Sequence, residues 1–208
     1  MTEDRREQAR PFLRAGEHLV AVCAYELGPG VPTPPEDLLP PAEPSSLHRR
    51  IEAKLPRPLA QLVRNQIDPR RSRTAAAAAS VDRLPDAVDQ VGTRLMHGKS
   101  MEGGWQSAAG HFLISRAGAR GSVTGVLAVT DRRWFGLTDV SHLWQSTPVM
   151  KEYWEVPRPA VAAVRARPTG VLQRGRMDLE FTDGSWVALL ASVPAQAVSF
   201  AEAAAHYR

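Results

Sequence analysis

Residues 125–135 read Gly-Val-Leu-Ala-Val-Thr-Asp-Arg-Arg-Trp-Phe. The apolar, β-branched stretch from Val123 to Thr130 predicts a strand. Asp131-Arg132-Arg133 predicts a turn into a second strand, Trp134–Leu137. In that turn Asp131 is expected to organise the backbone through its own side chain. One arginine is expected to lay its stem over the sheet; an anion contact by the two arginines is the functional alternative.

The same texture continues toward the C-terminus. Lys151–Val156 and Ala160–Arg167 predict further strands. Arg176–Phe181 and Ser185–Leu190 face each other across Thr182-Asp183-Gly184, and Asp-Gly between alternating runs is a hairpin signal of the type I′ kind. Ala195–Tyr207 predicts a closing helix with Val198, Phe200, Ala201, Ala204 and Ala205 on its apolar stripe. Upstream, Gly110–Ser115 (Gly-His-Phe-Leu-Ile-Ser) predicts another strand and His97–Gly104 a loop. Trp134, Trp154 and Trp186 fall on predicted strands and are expected in the core.

The N-terminal half is different. Residues 2–14 predict a short helix interrupted near Pro11, and Glu17–Tyr25 a strand. Residues 28–45 carry seven prolines, which lack the amide donor that helices and central strands need, so they read as an extended linker. Ser45-Ser46 can cap a helix over 46–66 with Leu47, Ile51, Leu55, Leu59 and Leu62 at helical spacing. Pro56 and Pro58 should kink it. A second helix is predicted over Thr74–Leu95.

Several of these stretches, in order, resemble bacterial pleckstrin-homology-like (PH-like) domains. Gly125–Phe135 resembles the family's "G-x-L-x-x-T-D-x-R" strand–turn–strand. Tyr153-Trp-Glu-Val-Pro157 with Val161–Val164 is similar to the segment leading into its fourth and fifth strands. Leu179–Ser185 resembles the sixth strand and its hairpin, and a C-terminal helix ends such domains. Arg14–Val22 (Arg-Ala-Gly-Glu-His-Leu-Val-Ala-Val) looks like the family's opening strand. The resemblance implies an α+β fold: a small antiparallel PH-like β-barrel capped by a C-terminal helix, with an inserted or N-terminal helical region. The division expected is 1–27 for the N-terminal helix and first strand, 28–104 for the proline-rich loop and helices, and 105–208 for the barrel. Two layouts stay open, an insertion after the first strand or a separate region before Gly110. The resemblance also implies a non-enzymatic scaffold that binds lipid head groups, peptides or partner proteins, although such a fold does not by itself fix function.

Composition narrows the function further. The 208 residues are 43% hydrophobic and 23% charged, ordinary for a globular chain, with a formal net charge of +4. Lys54, Lys99 and Lys151 are the lysines among 26 basic residues, and the arginine excess matches GC-rich coding. Cys23 is the one cysteine, which excludes an internal disulfide and a cysteine-based zinc site. It fits a reducing cytoplasm and reads as a small buried hydrophobe. The first residues lack the apolar segment of a secretory signal, so a cytoplasmic protein is expected, with a peripheral membrane association as one option.

No Walker A, GxSxG or HExxH motif occurs, and the six histidines are scattered, so no catalytic residue, metal or cofactor is expected. The candidate binding surface is basic. From Arg49 to Arg73 eight basic residues oppose Glu52 and Asp68, a local excess of six. Arg49, Arg50, Lys54, Arg57, Arg70, Arg71 and Arg73 are the candidates there. Such a face can attract anionic lipid, at about 1 kcal/mol per basic residue, or nucleic-acid phosphate; a solvated helix face is the plain alternative. Trp144, with Leu143 and Val149 in the loop 139–150, is the tryptophan expected to be exposed for a membrane or partner contact. A protein partner is the leading expectation, then an anionic lipid surface, then nucleic acid through residues 46–97.

Overall fold

The computed structural model describes residues 2–40, 98–141, 147–168 and 173–206. They belong to one compact unit built from residues 1–40 and 97–208. Its elements are α1 (Thr2–Ala9), a 3-10 turn at Arg10–Phe12, β1 (Leu19–Leu27), a 3-10 turn at Glu36–Leu38, β2 (Met101–Glu102), α2 (Ala108–Gly118), β3 (Gly125–Thr130), β4 (Arg133–Asp139), β5 (Met150–Pro157), a 3-10 turn at Arg158–Ala160, β6 (Val161–Ala166), β7 (Arg176–Phe181), β8 (Trp186–Ala191) and α3 (Pro194–His206). The fold is α+β, with one antiparallel sheet of eight strands and a C-terminal helix.

The strand order is β5-β4-β3-β1-β8-β7-β6, and β2 pairs with β8. β1 joins the two meanders. Its first residues pair with β3, from Leu19 opposite Thr130 to Tyr25 opposite Gly125, and Tyr25–Leu27 pair with β8. Among the described residues β1 ends at Leu27, and the next strand of the same sheet, β2, begins at Met101, opposite Val187. Arg176 fastens the chain just before β2. Its guanidinium donates to Asp178 Oδ1 at 2.9 Å and to the Lys99 carbonyl at 2.8 Å.

The sheet curls. β5 and β7 are five strands apart in the order, about 24 Å in a flat sheet. Yet Trp154 of β5 and Phe181 of β7 stack edge-on with ring centroids 6.1 Å apart. Phe112 of α2 meets Trp154 at 5.0 Å, and Phe200 of α3 meets Trp134 at 6.1 Å. These aromatic rings, with Leu127, Val129, Leu179 and Leu189, form the main core. The sheet does not close, because β5 and β6 end it without pairing to each other.

β3 and β4 are buried on both faces. Leu127 and Val129 face the main core, while Val126, Ala128, Phe135 and Leu137 form a second cluster with Ala9, Phe12 and Leu13. The N-terminal helix is thus a cover for the outer face. That accounts for the near-continuous apolar run at 126–129, since a strand covered on both sides has no polar face.

Residues 110–115 are helical, not a strand. Ala109, Phe112, Leu113 and Arg116 are buried along one side of α2, which is helical spacing. The Ser107 hydroxyl accepts from the Gly110 amide at 3.2 Å as its N-cap. Asp183 and Ser185 satisfy the next two orphan amides, those of Ala108 at 2.8 Å and Ala109 at 3.1 Å. Gly110 sits in the first turn because a Cβ there would meet the Gly104 carbonyl at 2.5 Å. The capping hairpin also differs from a type I′ turn. Gly184 alone in it has positive φ, 80°, and the bonds Gly184 N to Phe181 O and Phe181 N to Ser185 O make a three-residue loop with a glycine bulge. In α3 the buried stripe is Ala197, Phe200 and Ala204; Val198 is 46% exposed and Ala205 is exposed. Trp134 and Trp154 are core residues, whereas Trp186 is half-buried under the Arg176 guanidinium.

The β3–β4 turn is organised by Thr130 rather than Asp131. The Thr130 hydroxyl accepts from the amides of Arg132 at 3.1 Å and Arg133 at 2.9 Å and donates to Glu17 Oε1 at 2.8 Å. Asp131 instead accepts the His18 amide at 2.9 Å, holding the start of β1. Arg133 does not lie over the sheet surface. Its side chain is buried, with Nε on Glu17 at 3.0 Å, Nη1 on Glu152 at 3.0 Å and Glu155 at 2.7 Å, and Nη2 on the Phe12 carbonyl at 2.6 Å. The Glu17 side chain is 0% exposed. Burial pushes its carboxyl up, but the Arg14 amide, the Thr130 hydroxyl and the Arg133 guanidinium outweigh this and hold it below the usual carboxylate range.

Removing Arg133 leaves Glu17 buried and uncompensated, so Arg133→Met is expected to cost about 3–5 kcal/mol in urea unfolding. A depressed folded-state pKa adds stability above the unfolded value and loses it as pH falls through the folded one. The wild type should therefore weaken below about pH 4.3, the ordinary glutamate value. Glu17→Gln should remove part of that slope; an equally steep acid profile in this variant contradicts the assignment.

Candidate functional site

Among the described residues a groove of about 680 Å³ opens where β6 meets the end of α3. One wall is Val161, Ala162, Ala163, Val164 and Arg165. Side chains alternate between faces along a strand. Consecutive residues line one groove where it runs along a strand's edge, and β6 is irregular between Val161 and Ala163. Ala204 and Ala205 of α3 form the opposite wall, and Trp134 and Pro159 contribute apolar surface. The Trp134 indole Nε1 is buried and has no acceptor.

That edge is open. β6 pairs with β7 on one side, and no other described strand pairs with its outer side. The Arg167 amide donates to the Arg176 carbonyl at 2.8 Å. In the same register Arg165 faces Asp178 and Ala163 faces Glu180. These residues bond inward to β7, so the alternation turns the amides and carbonyls of Val164 and Ala166 outward. Pro157 ends β5 and Pro159 lies in the 3-10 turn that leads into β6.

Arg158 sets the groove's mouth. Its guanidinium donates to the Thr130 carbonyl at 2.6 Å and to the Ala204 carbonyl at 2.7 Å, and its amide donates to the Arg132 carbonyl at 2.8 Å. One side chain thus joins the β3–β4 turn to the last turn of α3. Arg132 and Arg165 lie on the rim, with side chains 60% and 61% exposed.

Two smaller crevices are lined by charges that pair among themselves. One, about 350 Å³, is lined by Arg167, Arg176, Asp178 and Glu180. These pair among themselves, with Arg167 to Asp178 at 3.3 Å and Arg176 to Asp178 at 2.9 Å. The other, about 280 Å³, lies over the Arg133 cluster, where Arg14 and Arg133 both hold Glu155.

The residues singled out from sequence, Arg49, Arg50, Lys54, Arg57, Arg70, Arg71, Arg73 and Trp144, all lie outside the described residues, as does Leu143. Of the turn arginines, Arg132 reaches the groove and Arg133 is committed to the buried cluster. Among the described residues no group of His, Cys, Asp and Glu can hold a metal ion, and no helix is long and apolar enough to cross a membrane. In the sequence 161–166 looks like any strand, and nothing local marks it as an edge.

The buried reactive side chains are structural. Tyr25 and Tyr153 pair through their hydroxyls. Burial pushes the Tyr25 hydroxyl up to about 12 and that of Tyr153 well above its ordinary value. Burial also pushes the Cys23 thiol up to about 12. Comparison with known proteins finds no matching family model, no matching curated protein and no matching solved structure.

The thiolate is the reactive form of cysteine. Cys23 in the native chain should therefore react with N-ethylmaleimide at mildly alkaline pH no faster than the chain unfolds. Labelling at the rate of a free thiol contradicts its burial in the sheet.

Proposed function

We propose that this chain is a non-enzymatic, cytoplasmic PH-like binding module, a scaffold that captures an extended segment of a protein partner along the outer edge of β6. The observation that carries this reading is the groove lined by five consecutive residues of an unpaired edge strand. An extended peptide can add itself there as a further strand. Main-chain hydrogen bonds to Val164 and Ala166 would supply affinity, and the walls of the groove would select side chains.

The PH-like part of the reading has its own support. Apart from the two-residue β2, the sheet holds seven strands: β1, the meander β3-β4-β5 and the meander β6-β7-β8, followed by α3. That is the sequence of elements the resemblance implies, and the curl that brings Trp154 to Phe181 suits a barrel left open between β5 and β6. The motif residues also meet in space. Glu17 of the opening segment bonds Thr130 and Arg133 of the strand–turn–strand segment. The membrane and nucleic-acid readings rest on Arg49–Arg73 and Trp144, which lie outside the described residues. The protein-partner reading rests on described geometry.

Proline is tolerated on an edge strand where its nitrogen faces outward. Peptides selected by the full chain from a displayed random library should bind the wild type. They should lose binding to Val164→Pro while its thermal melt stays close to the parent's. Undiminished binding to a folded Val164→Pro variant rejects the β6 edge as the site.

A further inference from the structure

Resting on the β6-edge reading, we infer that the captured segment has an apolar centre with acidic residues toward both ends. The centre of the groove offers small or apolar surface only: Val161, Ala162, Ala163 and Val164 on one side, Ala204 and Ala205 on the other. Its ends are cationic. Arg132 stands at the end where β6 begins, beside Arg158, whose amide donates to its carbonyl. Arg165 stands at the other end, about 13 Å along the strand from Val161 at roughly 3.3 Å per residue.

Three arginines and one aspartate are the charged residues of the lining. Asp131 is held by the His18 amide at 2.9 Å, and its carboxylate reaches Arg132 Nε only at 3.9 Å. Arg132 is therefore weakly neutralised. Arg165 meets Glu180 at 2.9 Å; Glu180 also meets Arg167 at 3.5 Å, and Asp178 meets Arg167 at 3.3 Å and Arg176 at 2.9 Å, so three arginines share two carboxylates. Arg158 is set against the carbonyl end of α3, where it offsets the negative end of the helix dipole. Without it, that end would repel an acidic ligand. The groove thus presents a net positive rim around an apolar floor. A strand with carboxylates at both ends complements it, and a basic strand is repelled.

The test uses the full chain and three fluorescein-labelled peptides sharing one Val/Thr core, flanked on both sides by Asp/Glu, by Ser or by Lys. Exposed arginine–carboxylate pairs each add a modest increment. The acidic peptide should therefore bind about tenfold tighter than the serine peptide at low salt, and the lysine peptide weakest. The preference should collapse near 1 M salt, where the screening length is about 3 Å. Arg132→Ala with Arg165→Ala should bring the acidic peptide's affinity down to that of the serine peptide on the same variant. Equal binding of acidic and serine peptides by the wild type overturns the inference and leaves the edge reading standing. A preference that survives in the double variant also overturns it, placing the attraction on basic residues elsewhere. An acidic peptide with prolines in its core that binds as well as the parent overturns it too, because such a peptide cannot add as a strand. Binding of none of the three overturns the edge reading itself, and the inference with it.

Discussion

A single guanidinium organises one end of this sheet. Arg133 lies buried 4.5 Å over the Phe135 ring and holds Glu17, Glu152, Glu155 and the Phe12 carbonyl at once. The N-terminal arm, the β3–β4 turn and β5 meet on it. Its consequences reach the groove through a short chain of bonds. Thr130, bonded to Glu17, fixes the amides of Arg132 and Arg133. The Arg132 carbonyl takes the Arg158 amide, and the Arg158 side chain takes the end of α3. Four successive hydrogen bonds thus link the buried ion cluster to the wall of the groove.

Burying such a cluster is costly, and an apolar substitute of equal volume is often as stable. What ion pairs supply here is direction. The apolar contacts of Val126, Ala128 and Phe135 with Ala9 and Phe12 would tolerate some sliding of the N-terminal arm. A guanidinium with five fixed donors does not. The register of β1 against β3 and the position of the arm are specified together by Glu17 and Arg133.

Much of this architecture was legible in the sequence, and the failures have physical causes. The strands at 17–25, 123–130, 151–156 and 176–190 announced themselves through β-branched runs and an Asp-Gly turn, because local signals dominate in hairpins. The segment 110–115 misled because its three-residue apolar run, Phe112–Ile114, does not distinguish strand from helix. Its cap, Ser107, and its supporting groups, Asp183 and Ser185, are partly far away in the chain. The exchange of roles between Thr130 and Asp131 was hidden for the same reason: the partners, Glu17 and His18, come from the segment before β1, more than a hundred residues away in the chain. The candidate site was least legible of all. Openness of an edge is a property of sheet order, and no local pattern in Val161–Ala166 encodes it. The basic stretch 49–73 was conspicuous by composition, whereas the groove depends on Arg132 and Arg165, which composition does not set apart.

The account stands on β6 having a free edge, and backbone amide hydrogen exchange of the unliganded full chain reads that directly. The inward amides of Ala163 and Arg165, bonded to β7, should exchange slowly. The outward amides of Val164 and Ala166 should exchange orders of magnitude faster than these neighbours. Protection of Val164 and Ala166 equal to that of Ala163 and Arg165 would mean that the edge is already occupied, and would contradict the account.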